Sequence, residues 1–202
     1  MNLKIPIGEK KLLITAVALC AALLVLLVCV FRKTIKHTVM IFENYVTENK
    51  EAFLQKVHSI CGSLGIKGDW LMAVMAMESR LNHRAVNPTG GATGLIQFMP
   101  KTANALGTTC DALCAMTNVQ QLDYVYKYLN TYKGKMNCFT DVYLAVFYPA
   151  AMGKAESYII AAPGSKVAQQ NAIFQDATGA ITVGSFKNYI TKWVAQKGYT
   201  LA

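Results

Sequence analysis

Between Asp69 and Asp111 the sequence holds a single acid, Glu78, near the end of the segment WLMAVMAMESR that runs from Trp70 to Arg80. Every residue from Trp70 to Met77 is apolar. A carboxyl group in such company is poorly solvated, which favours its protonated form. A protonated carboxyl near neutral pH is what a general acid requires. The competing reading is a glutamate at a helix end that points into water beside Arg80. The next segment supplies possible partners. Gly90, Gly91 and Gly94 allow positive φ and close approach of the backbone to a ligand. Leu95 to Pro100 (LIQFMP) then sets one amide, Gln97, inside an apolar run, and Pro100 begins a helix. A third segment, Leu144 to Gly153, closes a helix with Tyr148 just before Pro149, where a phenol can reach a carboxylate.

These residues need elements to hold them. Ala52, Phe53, Val57, Ile60 and Leu64 recur at helical spacing, giving a helix that Gly62 or Gly65 ends. Asp69 is expected to cap a second helix from Trp70 to about Arg80. Further helices are expected over Lys101–Leu106, Val119–Tyr132, Asp141–Tyr148, Glu156–Ala161 and Lys166–Phe174, with a break at Pro163-Gly164. Asp176 to Gly184 has strand or loop character, and Ser185 caps a last helix through Gln196. The fold class is therefore mainly α, a globular domain over residues 48–202 that is large enough to bury a sizeable core.

Ahead of it lies a different kind of segment. Leu12 to Phe31 is 20 residues without a formal charge, close to what a helix needs to cross about 30 Å of hydrocarbon. It is longer than the apolar core of a signal peptide and ends in Val30-Phe31-Arg32-Lys33, which is no small-residue cleavage site. The expected organisation is a tail over residues 1–11, a membrane-spanning helix over 12–31 and a juxtamembrane stalk over 32–47. A fragment starting near Thr47 is then expected to be soluble and still active, and the full chain to need detergent. Lys4, Lys10 and Lys11 before the span balance Arg32, Lys33 and Lys36 after it, so charge does not fix the orientation.

The 202 residues carry 20 Lys+Arg against 11 Asp+Glu, and 53% are hydrophobic, which excludes a disordered chain. From Glu48 onward the net charge is +5, which suits an anionic polymer without choosing among cell-wall glycan, nucleic acid and lipid headgroups. His37, His58 and His83 form no zinc motif, and no phosphate-binding or dinucleotide fingerprint occurs. Neither a metal nor a cofactor is expected. Tyr124, Tyr126, Tyr128 and Tyr132 fall on different helical faces and read as packing with at most one sugar-stacking ring. Six cysteines are too few for a disulfide scaffold. Outside the cytoplasm, one bridge among Cys61, Cys110, Cys114 and Cys138 is expected.

Over about Glu48–Trp193 the sequence resembles lytic transglycosylases of the soluble-lytic-transglycosylase (SLT) type, in the lysozyme-like α+β superfamily. Glu78-Ser79 matches the family's catalytic Glu-Ser pair, and Gly94-Leu95-Ile96-Gln97-Phe98-Met99-Pro100 its Gly-Leu-Met-Gln loop. Tyr148 falls on the Tyr of its Ala-Tyr-Asn-Ala-Gly motif, and Tyr189 resembles its late Tyr. The family's Asn is Pro149 here and its Gly is Ala151. The resemblance implies cleavage of the β-1,4 bond between N-acetylmuramic acid and N-acetylglucosamine in peptidoglycan, leaving a 1,6-anhydro ring. Glu78 is implied as the catalytic acid and base, and Tyr148 as the group that orients it. Ser79, Gly94, Gln97, Phe98 and Tyr189 are implied to position it or to line sugar subsites. The partners implied are peptidoglycan strands and the bilayer, with no nucleic acid. The catalytic domain is expected outside the cytoplasm, or in a virion membrane where a phage uses it to open the wall. A non-catalytic glycan-binding or structural membrane protein on the same fold is the alternative, suggested by Pro149.

Overall fold

The computed structural model describes residues 17–26 and 39–201. The chain divides into two compact units, one up to Val39 and one from Met40 onward. In the first, Val17–Leu26 forms a short apolar helix, α1. The rest of the expected span, the tail over 1–11 and the first part of the stalk lie outside the described residues. Among those described, no single helix is long and apolar enough to cross a membrane.

The second unit is mostly helical. Helix α2 (Lys50–Leu64) ends at Gly65, whose φ of 74° is costly for any residue with a Cβ. Helix α3 (Gly68–Ser79) follows, packed against α2 and against α7 (Phe139–Phe147). Leu71 to Ala76 are all buried, as expected of a helix that is apolar on every side. Asp69 is not its N-cap. Lys67 holds that position, and the Asp69 carboxylate instead accepts the Ile41 amide at 3.1 Å. Short helices α4 (Pro100–Ala105) and α5 (Cys110–Ala115) lead to α6 (Asn118–Asn130), which lies along α2 and starts with a Thr117–Gln120 capping box.

Two expectations change in the C-terminal third. The segment expected as a helix over Glu156–Ala161 is instead strand β1 (Ile159–Ala161), antiparallel to β2 (Ile181–Thr182). Tyr158, Ile159 and Ile160 favour extended backbone, and the second strand pairs it, Ile159 with Thr182 and Ala161 with Ile181. The Lys166–Phe174 helix shortens to α8 (Lys166–Gln170) and then tightens into a 3-10 turn at Ala172–Phe174. The last helix, α9 (Val183–Gln196), is capped by Thr182, and Ser185 is its reciprocal partner rather than the cap.

From Met40 the expected stalk belongs to the globular unit. Met40, Phe42 and Val46 are buried, and the Phe42 ring lies 5.5 Å from that of Trp193 and 4.4 Å from that of Tyr199. A short amphipathic stretch that finds aromatic partners on α9 and beyond packs there rather than continuing a helix. The expected disulfide does not form: Cys61, Cys110, Cys114 and Cys138 are all free thiols. The Cys110 thiol contacts the Phe98 carbonyl at 3.7 Å and that of Cys114 the Arg84 carbonyl at 3.9 Å, so each packs against the loop after α3.

Candidate active site

Helix α3 leaves the core at its C-terminus, and Glu78 stands in that last turn. Arg80 and Leu81 both take left-handed backbone, with φ of 55° and 60°, and turn the chain sharply away. The Arg80 amide bonds Ala76 at 3.0 Å and the Leu81 amide bonds Met75 at 3.2 Å, which satisfies carbonyls that the helix end would otherwise leave open. The Glu78 carboxyl is therefore partly exposed at the edge of a dry core. Burial raises its pKa from 4.5 to about 7, with a hydrogen bond from Tyr143 pulling the other way. The negative end of the α3 dipole also disfavours a carboxylate there. The helix-end-in-water reading of Glu78 does not hold.

The phenol that reaches Glu78 is that of Tyr143, not of Tyr148. Tyr143 lies within α7, whereas Tyr148 follows the helix as its C-cap, where φ of −154° has left helical geometry. Tyr143 is buried, its ring 5.1 Å edge-on from that of Phe186 on α9. Its hydroxyl is pushed well above the ordinary tyrosine range by burial, then by the Glu78 charge and its hydrogen bond, with a smaller push from Tyr189. Tyr189 thus approaches the same spot from α9, with its ring 5.1 Å from that of Phe174. Tyr148 is the C-cap of α7, half-buried against the core.

The loop that follows α3 is fixed from beneath. Thr93 bridges to Val86 and to Phe98, which makes residues 94–97 a tight turn with Gln97 at φ 53°. The Gln97 amide nitrogen donates to Gly94 O at 3.0 Å and Ala85 O at 3.3 Å. Its donor thus folds the loop, and the acceptor oxygen is the part left for a ligand. Ser79 Oγ lies 3.1 Å from Met75 O and 3.0 Å from Leu95 O, where its one proton is shared between helix and loop. Phe98 is buried with its ring 6.3 Å edge-on from Tyr128, so it anchors the loop and offers no face to a sugar. Ser79, Gly94, Gln97 and Phe98 are consequently positioning residues first.

One residue that organises this loop was missed by sequence reasoning. Gln121, fully buried on α6, accepts the Leu95 amide at 2.6 Å and donates to His83 O and Leu113 O, each at 2.9 Å. Gly94 rests on it with φ +82°, and a Cβ there would stand 2.6 Å from Gln121 Nε2. A glutamine on the apolar side of α6 was the available sign, because a buried amide must be satisfied. Tyr143 had a similar sign, a phenol in the middle of an apolar helix that needs a polar partner.

The arrangement offers one carboxyl whose pKa burial has raised to about 7, a phenol that bonds it and a braced loop beside it. Residues 62–151 match the family model described as the transglycosylase SLT domain. That interval contains Glu78, the braced loop, Tyr143 and Tyr148, while Tyr189 lies beyond it. No curated protein matches the chain. The Glu78 carboxyl at the end of its buried helix and the Gly94–Pro100 loop both lie inside this match, which supports a lytic transglycosylase of the SLT, lysozyme-like type.

Proposed function

We propose that the protein is a membrane-anchored peptidoglycan lytic transglycosylase in which Glu78 carries out both proton transfers. The observation that carries this reading is the Glu78 carboxyl, protonated up to about pH 7 and oriented by Tyr143. Glu78 stands in the last turn of a buried apolar helix, where burial favours its protonated form. Asp141 is buried, but its oxygens accept the Asn137 amide at 3.2 Å and the Gly153 amide at 3.0 Å, which makes it a structural brace. In this reading one carboxyl suffices.

In the first step Glu78 gives its proton to the glycosidic oxygen as the bond to C1 of the muramic sugar breaks. The carbonyl oxygen of that sugar's own 2-acetamido group bonds to C1 and holds the developing charge, an exception to the two-carboxylate scheme. In the second step the Glu78 carboxylate takes the proton of the C6 hydroxyl. O6 then bonds to C1, the acetamido oxygen leaves, and a 1,6-anhydro ring forms with Glu78 protonated again. Tyr143 stabilises the carboxylate between the steps, and Tyr189 and the Gln97 oxygen face the sugars.

The anchor reading rests on the charge-free run over 12–31 and on the apolar helix Val17–Leu26 within it. The peptidoglycan wall lies outside the inner membrane, so the domain from Met40 onward works on the far side of it. A virion membrane is the other setting that suits the reading, and detection in purified virus particles would identify it. Partition of the full chain into detergent tests the anchor.

The test of the reaction is release of muropeptides from purified peptidoglycan, with the ends identified by mass. The wild-type chain should leave anhydro ends and Glu78→Gln almost none, a fall of about 10²–10⁴-fold. Hydrated reducing ends would make the protein a hydrolysing lysozyme. Binding to the wall without any cleavage would leave the glycan-binding alternative.

A further inference from the structure

The globular unit begins at Met40, and both tryptophans of the chain stand where its first residues pack. Met40 packs over Gly68 at the start of α3, and the Ile41 amide bonds Asp69. Trp70 comes next on that helix. The Phe42 ring lies against Trp193 of α9, with 5.5 Å between centroids. Each tryptophan is half-buried with a lysine over its ring. Lys67 Nζ is 5.4 Å from the Trp70 centroid and Lys197 Nζ 5.5 Å from that of Trp193, both cation–π distances. Trp70 and Met77 are two turns apart on one side of α3. Met77 in turn lines a groove of about 590 Å³ with Tyr45, Ala76, Arg80, Trp193 and Lys197. Glu78 lies about 100° around α3 from Met77 and about 200° from Ala76, so this corner leaves the carboxyl's side of the helix uncovered.

The corner is a set of rings rimmed by cations. Arg80 and Lys197 are exposed, and neither takes part in any of the four ion pairs among the described residues. No acid is among the residues that line the groove. Glu43 and Asp69, which flank the entering segment, are engaged by Lys50 at 3.2 Å and by the Ile41 amide. Tryptophan and tyrosine settle at headgroup depth in a bilayer, and clustered Lys and Arg bind its anionic lipids. Residues 32–39 separate the charge-free run over 12–31 from Met40, and they include Arg32, Lys33 and Lys36. Fully extended, that stretch reaches at most about 29 Å. A domain of this size is roughly 40 Å across. With residues 12–31 in the membrane, so short a tether keeps the entry corner within reach of the headgroups. A charged wall polymer would suit the same cations, but only the bilayer is held beside them at all times.

We propose that the corner formed by Tyr45, Trp70, Trp193, Arg80 and Lys197 docks on the anionic headgroups of the membrane that holds the anchor. Docking there seats the domain on the bilayer and leaves the Glu78 side of α3 free for the wall. The inference rests on the anchor part of the functional reading above.

Both tryptophans lie in the corner and none lies in the run over 12–31, so tryptophan fluorescence reports on the corner alone. The full chain is reconstituted into phosphatidylcholine vesicles with or without phosphatidylglycerol, each carrying a lipid with a nitroxide quencher on its headgroup. Quenching should be strong in the anionic vesicles, weak in the neutral ones, and should fall as salt rises. Each base at an anionic surface contributes about fivefold, so Arg80→Gln with Lys197→Gln should lower the docked-to-undocked ratio roughly 30-fold. At the salt concentration where the parent is half docked, the double variant should show almost no quenching. Equal quenching of the parent in both kinds of vesicle overturns the proposal, since the tether alone would then account for it. An unchanged salt profile in the double variant overturns it as well. The parent's own contrast between vesicles holds as a test even where the variant folds poorly. Flotation with the vesicles separates the two readings. A chain that floats with its tryptophans unquenched keeps the anchor and loses only this inference, whereas a chain that does not float loses both.

Discussion

Tyr143→Phe removes the hydroxyl that bonds Glu78 and keeps the ring packed against Phe186. The bond favours the carboxylate and so holds the Glu78 pKa down against burial. Removing it must move that pKa further up from about 7. A hydrogen bond to a charged group contributes about 1.5–3 kcal/mol, and one pKa unit corresponds to 1.36 kcal/mol. Because Glu78 is partly exposed, water replaces some of the loss, and a shift of about one unit follows. The general acid is active when protonated, so kcat/KM falls as pH rises through the Glu78 pKa. With the limb moved from about 7 to about 8, roughly half the variant stays protonated at pH 8, against about a tenth of the wild type. The variant-to-wild-type ratio of kcat/KM should therefore be about fivefold higher at pH 8 than at pH 6. At pH 6 the variant should be slower, since its carboxyl is less well oriented. Turbidity loss of purified peptidoglycan across pH 5–9 gives the profile. An unmoved limb in Tyr143→Phe, together with a moved one in Tyr148→Phe, would refute the reasoning.

Three further outcomes are expected. The Glu78 pKa is raised in the folded state, so the wild type loses stability as pH climbs from about 4.5 through about 7. Glu78→Gln should accordingly match the wild-type Tm at pH 4 and exceed it at pH 8, by scanning fluorimetry. Gly94→Ala forces a Cβ against the Gln121 amide at a φ of +82° and should cost about 2–4 kcal/mol in denaturant unfolding, with activity lost as the loop shifts. A chain beginning at Thr47 lacks Met40, Phe42 and Val46, and uncovers the rings of Trp193 and Tyr199. It should be less stable by at least about 3–5 kcal/mol than one beginning at Val39, the cost typical of losing one buried Phe. Equal unfolding midpoints for the two would disprove the packing role of that segment.

The acid of the site could be read from the sequence because its cause is local. Eight consecutive apolar residues make α3 a buried helix wherever it packs, and an acid at its end is then poorly solvated. The turn after it was legible for a similar reason, since glycines at Gly91 and Gly94 declare positive φ. What the sequence left open depends on direction and on distant partners. Which phenol meets Glu78 turns on how α7 packs on α3 and where it ends, since Tyr143 lies within the helix and Tyr148 follows it as the C-cap. The weight of the loop on Gln121, 26 residues beyond Leu95, is a tertiary fact with no local signature. The same holds for Met40 to Val46, whose mixed polarity reads as a stalk until Trp193 and Tyr199 supply a surface to bury it. Ile159 to Ala161 becomes a strand only because Ile181 and Thr182 lie alongside, since a strand's hydrogen bonds belong to its neighbour and a helix's to itself.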